Sequence, residues 1–331
     1  MTAAPETTGL PRTETVRHAV DSALLAPSVH NCQPWRWRIS TDRVELYADP
    51  DRRLPFTDPD RRDHLVSCGT ALTTLHVALA AAGVGHEIIR FPSDDTHHLA
   101  TVRFTGQPPG DTDRADAILA PAIRRRRTDR RAFPDGGLPE RTRDALAARA
   151  ARYGVALTVV PESAHDHLVE LEQEAAREMR QRPGYAAEQM LWTHRYAGSR
   201  DGVHAETVPG FGPREPELGV RFPAGSMPVT ALEADRATVV VLTTPADDDP
   251  AHLAAGEAAG AVLLAATRAG LGTCPLSRIL EAPVTRKALT ARLLHVSDHP
   301  QLLIRIGHPP DDRELPATPR RRLHDVLVHG S

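Results

Sequence analysis

An internal repeat constrains this chain more than any other feature. The segment CGTALTTLHVALAAAGVG (Cys68–Gly85) matches AGEAAGAVLLAATRAGLG (Ala255–Gly272). In both copies a glycine opening the segment and a glycine closing its helix lie fourteen residues apart, and the segment ends Gly-x-Gly. Glycines in that terminal position suit left-handed helix caps. A second match follows in the same order, VRFTGQPP (Val102–Pro109) against IRIGHPP (Ile304–Pro310). Two matches in one order indicate a duplicated fold.

Periodicity fills in the elements. Glu14–Leu25 reads as an amphipathic helix with Val16, Ala19, Val20, Ala23 and Leu24 on one face, ended by Pro27. Trp35–Ile39 alternates like a strand and Val44–Tyr47 is its expected partner, with Trp35 and Trp37 on one side, in the core. A helix is predicted over Thr70–Ala82, followed by strands at His86–Phe91 and Leu99–Phe104. The second copy opens on a helix at Glu140–Arg152 and is read as inserting TCPLSRILEAP (Thr273–Pro283) before its last strand. Between its shared elements lie a charged helix, His165–Arg180, another at Tyr185–Tyr196, and a Gly/Pro-dense stretch, Gly198–Pro228. A connection that long inside a compact domain is disordered or a functional lid. The predicted division is a flexible N-terminus (1–12), a first half (13–110) and a second half (111–331) carrying an insert at about 162–229 and a C-terminal arm.

Composition excludes several classes. A net charge of −3 argues against a general nucleic-acid binder. Three scattered cysteines form no disulfide framework or zinc knuckle, and the His165-x-His167, His97-His98 and His64/His76 groupings lack metal spacing, so no metal is expected. Cys68 and Cys274 are placed at or near helix ends, as small packed residues. The longest apolar run, Ala258–Ala266, is far short of the roughly 20 residues of a membrane span. With no secretory leader, a cytoplasmic location is expected. Walker, Gly-x-Ser-x-Gly and full Gly-x-Gly-x-x-Gly patterns are absent.

What remains is asymmetry between the copies. Only the first carries APSVHNCQPWRW (Ala26–Trp37), and only the second is preceded by RRRRTDRRAF (Arg124–Phe133). Each half keeps what the other lacks, which fits one composite site. Arginines suit phosphate. Ser28, Asn31 and Gln33 add neutral donors and acceptors for a sugar or ring edge, so the pieces describe a nucleotide-like cofactor. Taken alone, the basic runs Arg124–Arg127 and Arg320–Arg322 also fit solvated surface.

These motifs resemble those of the nitroreductase superfamily. APSVHNCQPWRW is similar to its Ala-Pro-Ser-x-x-Asn-x-Gln-Pro-Trp signature and RRTDR (Arg126–Arg130) to its Arg-Arg-Ser-x-Arg signature, with Thr128 in place of Ser. GLGTCPL (Gly270–Leu276) resembles the segment passing flavin N5, and TPRRRL (Thr318–Leu323) the C-terminal phosphate arginines. The doubled layout with a long insert looks most like the Acg-type branch. The resemblance implies an α+β, nitroreductase-like fold whose two homologous halves form an intrachain pseudo-dimer around one tightly bound FMN. It implies cofactor contacts from Pro27, Ser28, Asn31, Gln33, Arg126, Arg127, Thr128, Arg130, Pro275, Leu276, Ser277, Arg320 and Arg321.

The function so implied is an FMN-dependent oxidoreductase with NAD(P)H as transient donor and hydride passage through N5. No general acid or base is assigned. The alternatives are an FMN-sequestering protein covered by its insert, with little turnover, and a tailoring enzyme for one metabolite. The expected partners are a small-molecule substrate or electron donor, with no nucleic acid or membrane, and the chain is expected as a monomer or a homodimer of such pseudo-dimers.

Overall fold

The computed structural model describes residues 9–134, 137–193, 195–196, 198–210, 218, 221–222, 225–228, 235–294 and 297–328. Most of the N-terminus expected to be flexible (1–8 of 1–12) and much of the Gly/Pro stretch lie outside the described residues.

The first half opens with helix α1 (Thr13–Ala23), whose apolar face is buried, and the antiparallel strands β1 (Trp35–Ile39) and β2 (Arg43–Ala48). Helix α2 (Arg62–Ala81) then crosses the sheet, and β3 (His86–Arg90) and β4 (His98–Phe104) complete it in the order β1-β2-β4-β3. Trp35 and Trp37 are fully buried in this core. Short helices α3 (Asp111–Ala117) and α4 (Ala120–Arg125) lead into the second half.

There the plan recurs. Helix α5 (Glu140–Ala151) precedes β5 (Ala156–Val159); the insert contributes α6 (His165–Gln181) and α7 (Tyr185–Thr193); then come β6 (Thr238–Thr244), α8 (Asp249–Arg268) and β7 (Gly272–Leu276). Helices α9 (Arg278–Glu281) and α10 (Pro283–Leu289) precede β8 (His299–Gly307), and α11 (Leu323–Val326) ends the described elements. The sheet order is β5-β6-β8-β7, the first sheet's order repeated. Both sheets carry a register shift at the same place, Leu46/Tyr47 against β4 and Leu242/Thr243 against β8.

The halves meet through α2 and α8, and the contact has two-fold character. A side chain on Gly69 would overlap the Leu253 carbonyl, and one on Gly256 would overlap the Val66 carbonyl. These two pairs are related by one constant sequence offset. In the same reciprocal way Val66 packs into the second half's core and Leu253 into the first's. The C-terminal arm returns to the first half. Leu327 bridges Trp37 in parallel, Val328 N–H donates to the Trp37 carbonyl at 2.8 Å, and Val326 joins the first core.

Three expectations are corrected. Helix α2 begins at Arg62, not Thr70, because the Asp58 carboxylate accepts from the N–H groups of Asp63 (3.0 Å) and His64 (2.8 Å) and caps a polar first turn that hydropathy alone would not assign. Thr273–Leu276 belongs to β7, the counterpart of β3, so the addition in the second half starts after Leu276. Cys68 lies inside α2 and Cys274 inside β7, neither at a helix end; both are buried. Helix α2 is long and apolar enough by composition to span a bilayer, yet its residues are buried within the protein.

Candidate functional site

The first half's polar segment is a strapped, left-handed loop. His30, Asn31 and Gln33 have φ of 48°, 53° and 52°, conformations that cost non-glycine residues energy and persist where surrounding contacts enforce them. The straps are visible. Thr70 Oγ1 donates to the Pro27 carbonyl at 2.7 Å, Val29 N–H donates to Ser67 Oγ at 3.1 Å, and Gln33 N–H donates to Ser28 Oγ at 2.9 Å. Asn31 Nδ2 donates to the carbonyls of Gly202 (3.1 Å) and Pro319 (3.2 Å). Gln33 Nε2 donates to the Arg200 carbonyl (2.8 Å), while its Oε1 accepts from Arg321 N–H (2.7 Å). One loop thus ties together α2, the insert and the C-terminal arm.

Facing it is the second half's contribution. Thr128 bridges Thr273 in parallel, and Asp129 N–H donates to the Thr273 carbonyl at 2.8 Å, so the arginine-rich segment runs beside edge strand β7. Between the loop and this edge opens a cleft of about 870 Å³, counted out to its mouth. Pro27, Ser28, Thr128, Arg130, Pro275, Leu276 and Ser277 line it. These come from both halves, as the copy asymmetry implies.

The remaining basic residues divide. Arg126 is buried, lines a small void that shares Pro27 and Leu263 with the cleft, and leaves Nη1 without a partner among the described residues. Burial, then the cations of Arg320, Arg127 and Arg130, push its pKa down to about 9. Burial and Arg127 bring Arg320 down to about 10; its Nη1 and Nη2 donate to the carbonyls of Thr318, Pro319, Leu25 and Ala26, and its Nε has no partner among the described residues. Among the described residues the sole carboxylate paired with this cluster is Glu314, 4.0 Å from Arg127 and itself exposed. Guanidinium groups gathered around the buried Arg126, with Glu314 the sole carboxylate in contact among the described residues, can take up an anion.

Not every expected residue reaches the cleft. Asn31 and Gln33 are committed to the knots above, although Asn31 Oδ1 stays unpartnered. Arg127 donates to the carbonyls of Leu315, Arg124 and Arg126. Arg321 turns outward, toward Asp49 (3.4 Å) and a separate recess shared with Arg52, Arg200 and Arg322.

The structure also adds residues that sequence reasoning passed over. His30, inside the motif, lines the cleft. Arg221 and Phe222 enter from the insert: Phe222 meets His30 edge-on at 5.5 Å and lies under the Arg130 guanidinium at 5.4 Å. Arg130 Nη1 donates to the Thr207 carbonyl at 2.9 Å, a second tie to the insert. Three ion pairs close one end: Asp63 with Arg62, Glu172 with Arg278, and Glu281 with Arg221. The available signal was weak: Arg221-Phe222, a basic and an aromatic residue side by side in the Gly/Pro-dense stretch.

Comparison with known proteins adds the following. The nitroreductase family profile matches residues 123–308. A Mycobacterium tuberculosis protein bearing the name "Putative NAD(P)H nitroreductase" is 43% identical over 325 residues, covering 97% of this chain and 93% of its own. The acg protein of the same organism, of like name, is 36% identical over 326 residues, covering 95% and 96%. Among solved structures, the FMN-dependent nitroreductase NfnB from Mycobacterium smegmatis, in complex with NADPH, aligns at TM-score 0.41 and 19% identity, over 66% of this chain and 100% of that one.

Proposed function

The chain belongs to the nitroreductase family, in its Acg-like branch, and on that premise we propose that it is an FMN-dependent oxidoreductase with one flavin site per chain. The observation that carries this reading is the arginine cluster around buried Arg126, in which Arg126, Arg130 and Arg320 have no carboxylate partner among the described residues, next to a largely apolar cleft that Arg130 lines. A phosphate monoester would satisfy the idle Nη1 of Arg126 and Nε of Arg320. Pro27, Pro275 and Leu276 offer a flat apolar slot for a tricyclic ring, with Ser28 and Thr128 at hand for a polyol chain. The residues present fit the group.

A bound FMN would supply two-electron hydride chemistry between NAD(P)H and an acceptor. The chain's own part is electrostatic and steric. Arg126 and Arg320 would hold the phosphate through their idle nitrogens, with Arg127 adding positive charge beside them and Asn31 tying the first half's loop to the arm. Arg130, a half-buried cation with no salt-bridging carboxylate among the described residues, favours negative charge on whatever lies beside it. The strapped loop fixes Ser28, while Gln33 and Arg321 act one step away by locking loop to arm. Ser277 offers its main chain at the end of β7; its hydroxyl is taken by Glu281 at 2.7 Å. We assign the units as 13–110 and 111–331, with the reaction set in a reducing cytoplasm that suits three free buried thiols. A small-molecule donor and acceptor are the partners.

One observation favours a second reading, FMN sequestration with little turnover: Phe222 and the Thr207 carbonyl bring the insert onto Arg130 and His30, within the cleft itself. The absorbance spectrum of purified protein, taken anaerobically with and without NADPH, separates the two. Rapid bleaching of a yellow protein supports the reductase. A yellow protein that bleaches with dithionite and ignores NADPH and NADH supports sequestration. Oxidation of a single metabolite without nicotinamides would identify a tailoring enzyme. A colourless protein that binds no FMN would end both flavin readings.

A further inference from the structure

A second concavity shares no lining residue with the cleft. It measures about 1010 Å³, counted out to its mouth, and three distant segments build it: Arg52 after β2, Arg195 and Arg200 of the insert, and Arg321 and Arg322 of the arm. Against these five guanidinium groups stand two lining carboxylates, Asp201 and Asp325. Asp201 is shared, 2.7 Å from Arg52 and 2.7 Å from Arg195, and Asp325 has His324 at 3.0 Å. Asp49, 3.4 Å from Arg321 and outside the lining, already has Arg36 at 2.9 Å. Arg200 Nη1 donates to the Arg320 carbonyl (3.3 Å), and Arg322 offers Asp325 its main-chain N–H (2.9 Å). Among the described residues neither of these two side chains has a carboxylate partner. The lining therefore carries a surplus of three positive charges, His324 not counted.

Packing holds part of this charge in place. The buried Trp192 indole lies under the guanidinium groups of Arg195 at 4.7 Å and Arg52 at 5.9 Å. Planar arginine forks suit phosphate oxygens. One phosphate group brings about 1.5 to 2 negative charges at pH 7, short of the surplus, so two linked phosphates balance it better than one. Tyr196, on the lining and 76% exposed, offers a ring face to a flat group attached to them. The same arginines also hold the strapped loop. Arg52 Nη1 donates to the Cys32 carbonyl at 2.9 Å, Arg321 N–H donates to Gln33 Oε1 at 2.7 Å, and the Arg200 carbonyl accepts from Gln33 Nε2 at 2.8 Å. A ligand that fixes these arginines fixes the loop from its far side.

We propose that this recess is a second, regulatory site for a small molecule with linked phosphates, whose binding stiffens the loop and tightens FMN binding in the cleft. The coupling to FMN rests on the reading of the cleft as a flavin site; the recess as a phosphate site does not.

The test uses flavin-loaded protein, with FMN content checked by absorbance, and inorganic pyrophosphate titrated by calorimetry at fixed ionic strength. Pyrophosphate should bind saturably and more tightly than orthophosphate. Arg200→Gln and Arg322→Gln, both at exposed positions, should each weaken it about tenfold, the low end for a charged hydrogen bond. ADP separates the sources: a gain over pyrophosphate that Tyr196→Ala abolishes identifies a nucleotide, and equal affinity identifies inorganic diphosphate or a simple ester. In flavin-stripped protein, saturating pyrophosphate should raise FMN affinity about fivefold, an ordinary coupling, and the Arg200→Gln/Arg322→Gln protein should lose the effect. No saturable binding to flavin-loaded protein, or binding that both substitutions leave unchanged, overturns the site. Competition between pyrophosphate and FMN overturns it as well, since the recess would then be the cofactor's own phosphate seat. Unchanged FMN affinity with pyrophosphate bound overturns the regulatory role. Failure of the flavin reading is separate: a parent protein that binds no FMN leaves the pyrophosphate titration and its loss in the two variants to decide the recess alone.

Discussion

Placing a methyl group on Gly256 should break the seam between the halves. In a helix interior, glycine to alanine ordinarily stabilises by roughly 0.5–1 kcal/mol. At Gly256 the added Cβ would overlap the Val66 carbonyl oxygen and stand 2.8 Å from the Val66 C and Cα atoms. Carbon atoms pack best at about 3.5–4.0 Å, so α2 and α8 would have to part by roughly 0.7 Å or more. A gap of that size forfeits about a quarter to a half of each dispersion contact along the seam, and overpacking a tight core costs about 1–3 kcal/mol. The net loss for Gly256→Ala is therefore on the order of 2 kcal/mol, with Gly69→Ala similar by the pseudo-two-fold. Gly260→Ala provides the graded control, since its Cβ would meet Thr73 Cβ at a milder 3.1 Å. Urea unfolding and thermal melts of the three variants check this: in a chain of 331 residues the first two should melt roughly 3 °C below the parent, with Gly260→Ala between. Gly256→Ala as stable as the parent, or Gly260→Ala the worst of the three, would refute the reasoning.

Removing an uncompensated cation should separate stability from binding. Arg126→Ala should leave the flavin-free melt unchanged or raised, yet weaken FMN binding by roughly 10- to 100-fold, the worth of a charged hydrogen bond; fluorescence titration and melts with and without FMN check both signs. Asp116 gives a pH signature. Burial alone would raise its carboxyl, but hydrogen bonds from His76 and Arg152 overcompensate and hold it well below the usual range. Its stabilisation is then present above the unfolded carboxylate value near 4 and fades as pH falls through the lower folded value. Asp116→Asn should accordingly destabilise at pH 7, with the difference shrinking below about pH 4 in urea melts. The three cysteines are buried, and burial pushes their thiols up, so the native protein should resist a thiol-disulfide colour reagent that titrates three groups after denaturation.

The duplicated plan was legible because its cues are local. Strands β1 and β3 begin where the alternation places them, and the glycines of the repeated helices turned out to be the seam itself. The composite cleft was legible through polar residues on segments that only one copy each carries, such as Ser28 in the first and Thr128 and Arg130 beside β7 in the second. What could not be read was set by tertiary contacts. The first two turns of α2 depend on Asp58, a cap outside the helix. Asn31 and Gln33 have the same chemistry whether they face a ligand or, as here, backbone carbonyls of the insert and arm. His30 and Phe222 are separated by nearly two hundred residues, and no pattern along the chain announces that they meet.

The account stands or falls on two unlike halves completing a single binding site for FMN. Titration of flavin-stripped protein with FMN, followed by flavin fluorescence at known protein concentration, reads this directly. A break at one FMN per chain, lost on Arg126→Ala/Arg320→Ala substitution, is the expected result. Two equivalents per chain, or no saturable binding, would contradict it.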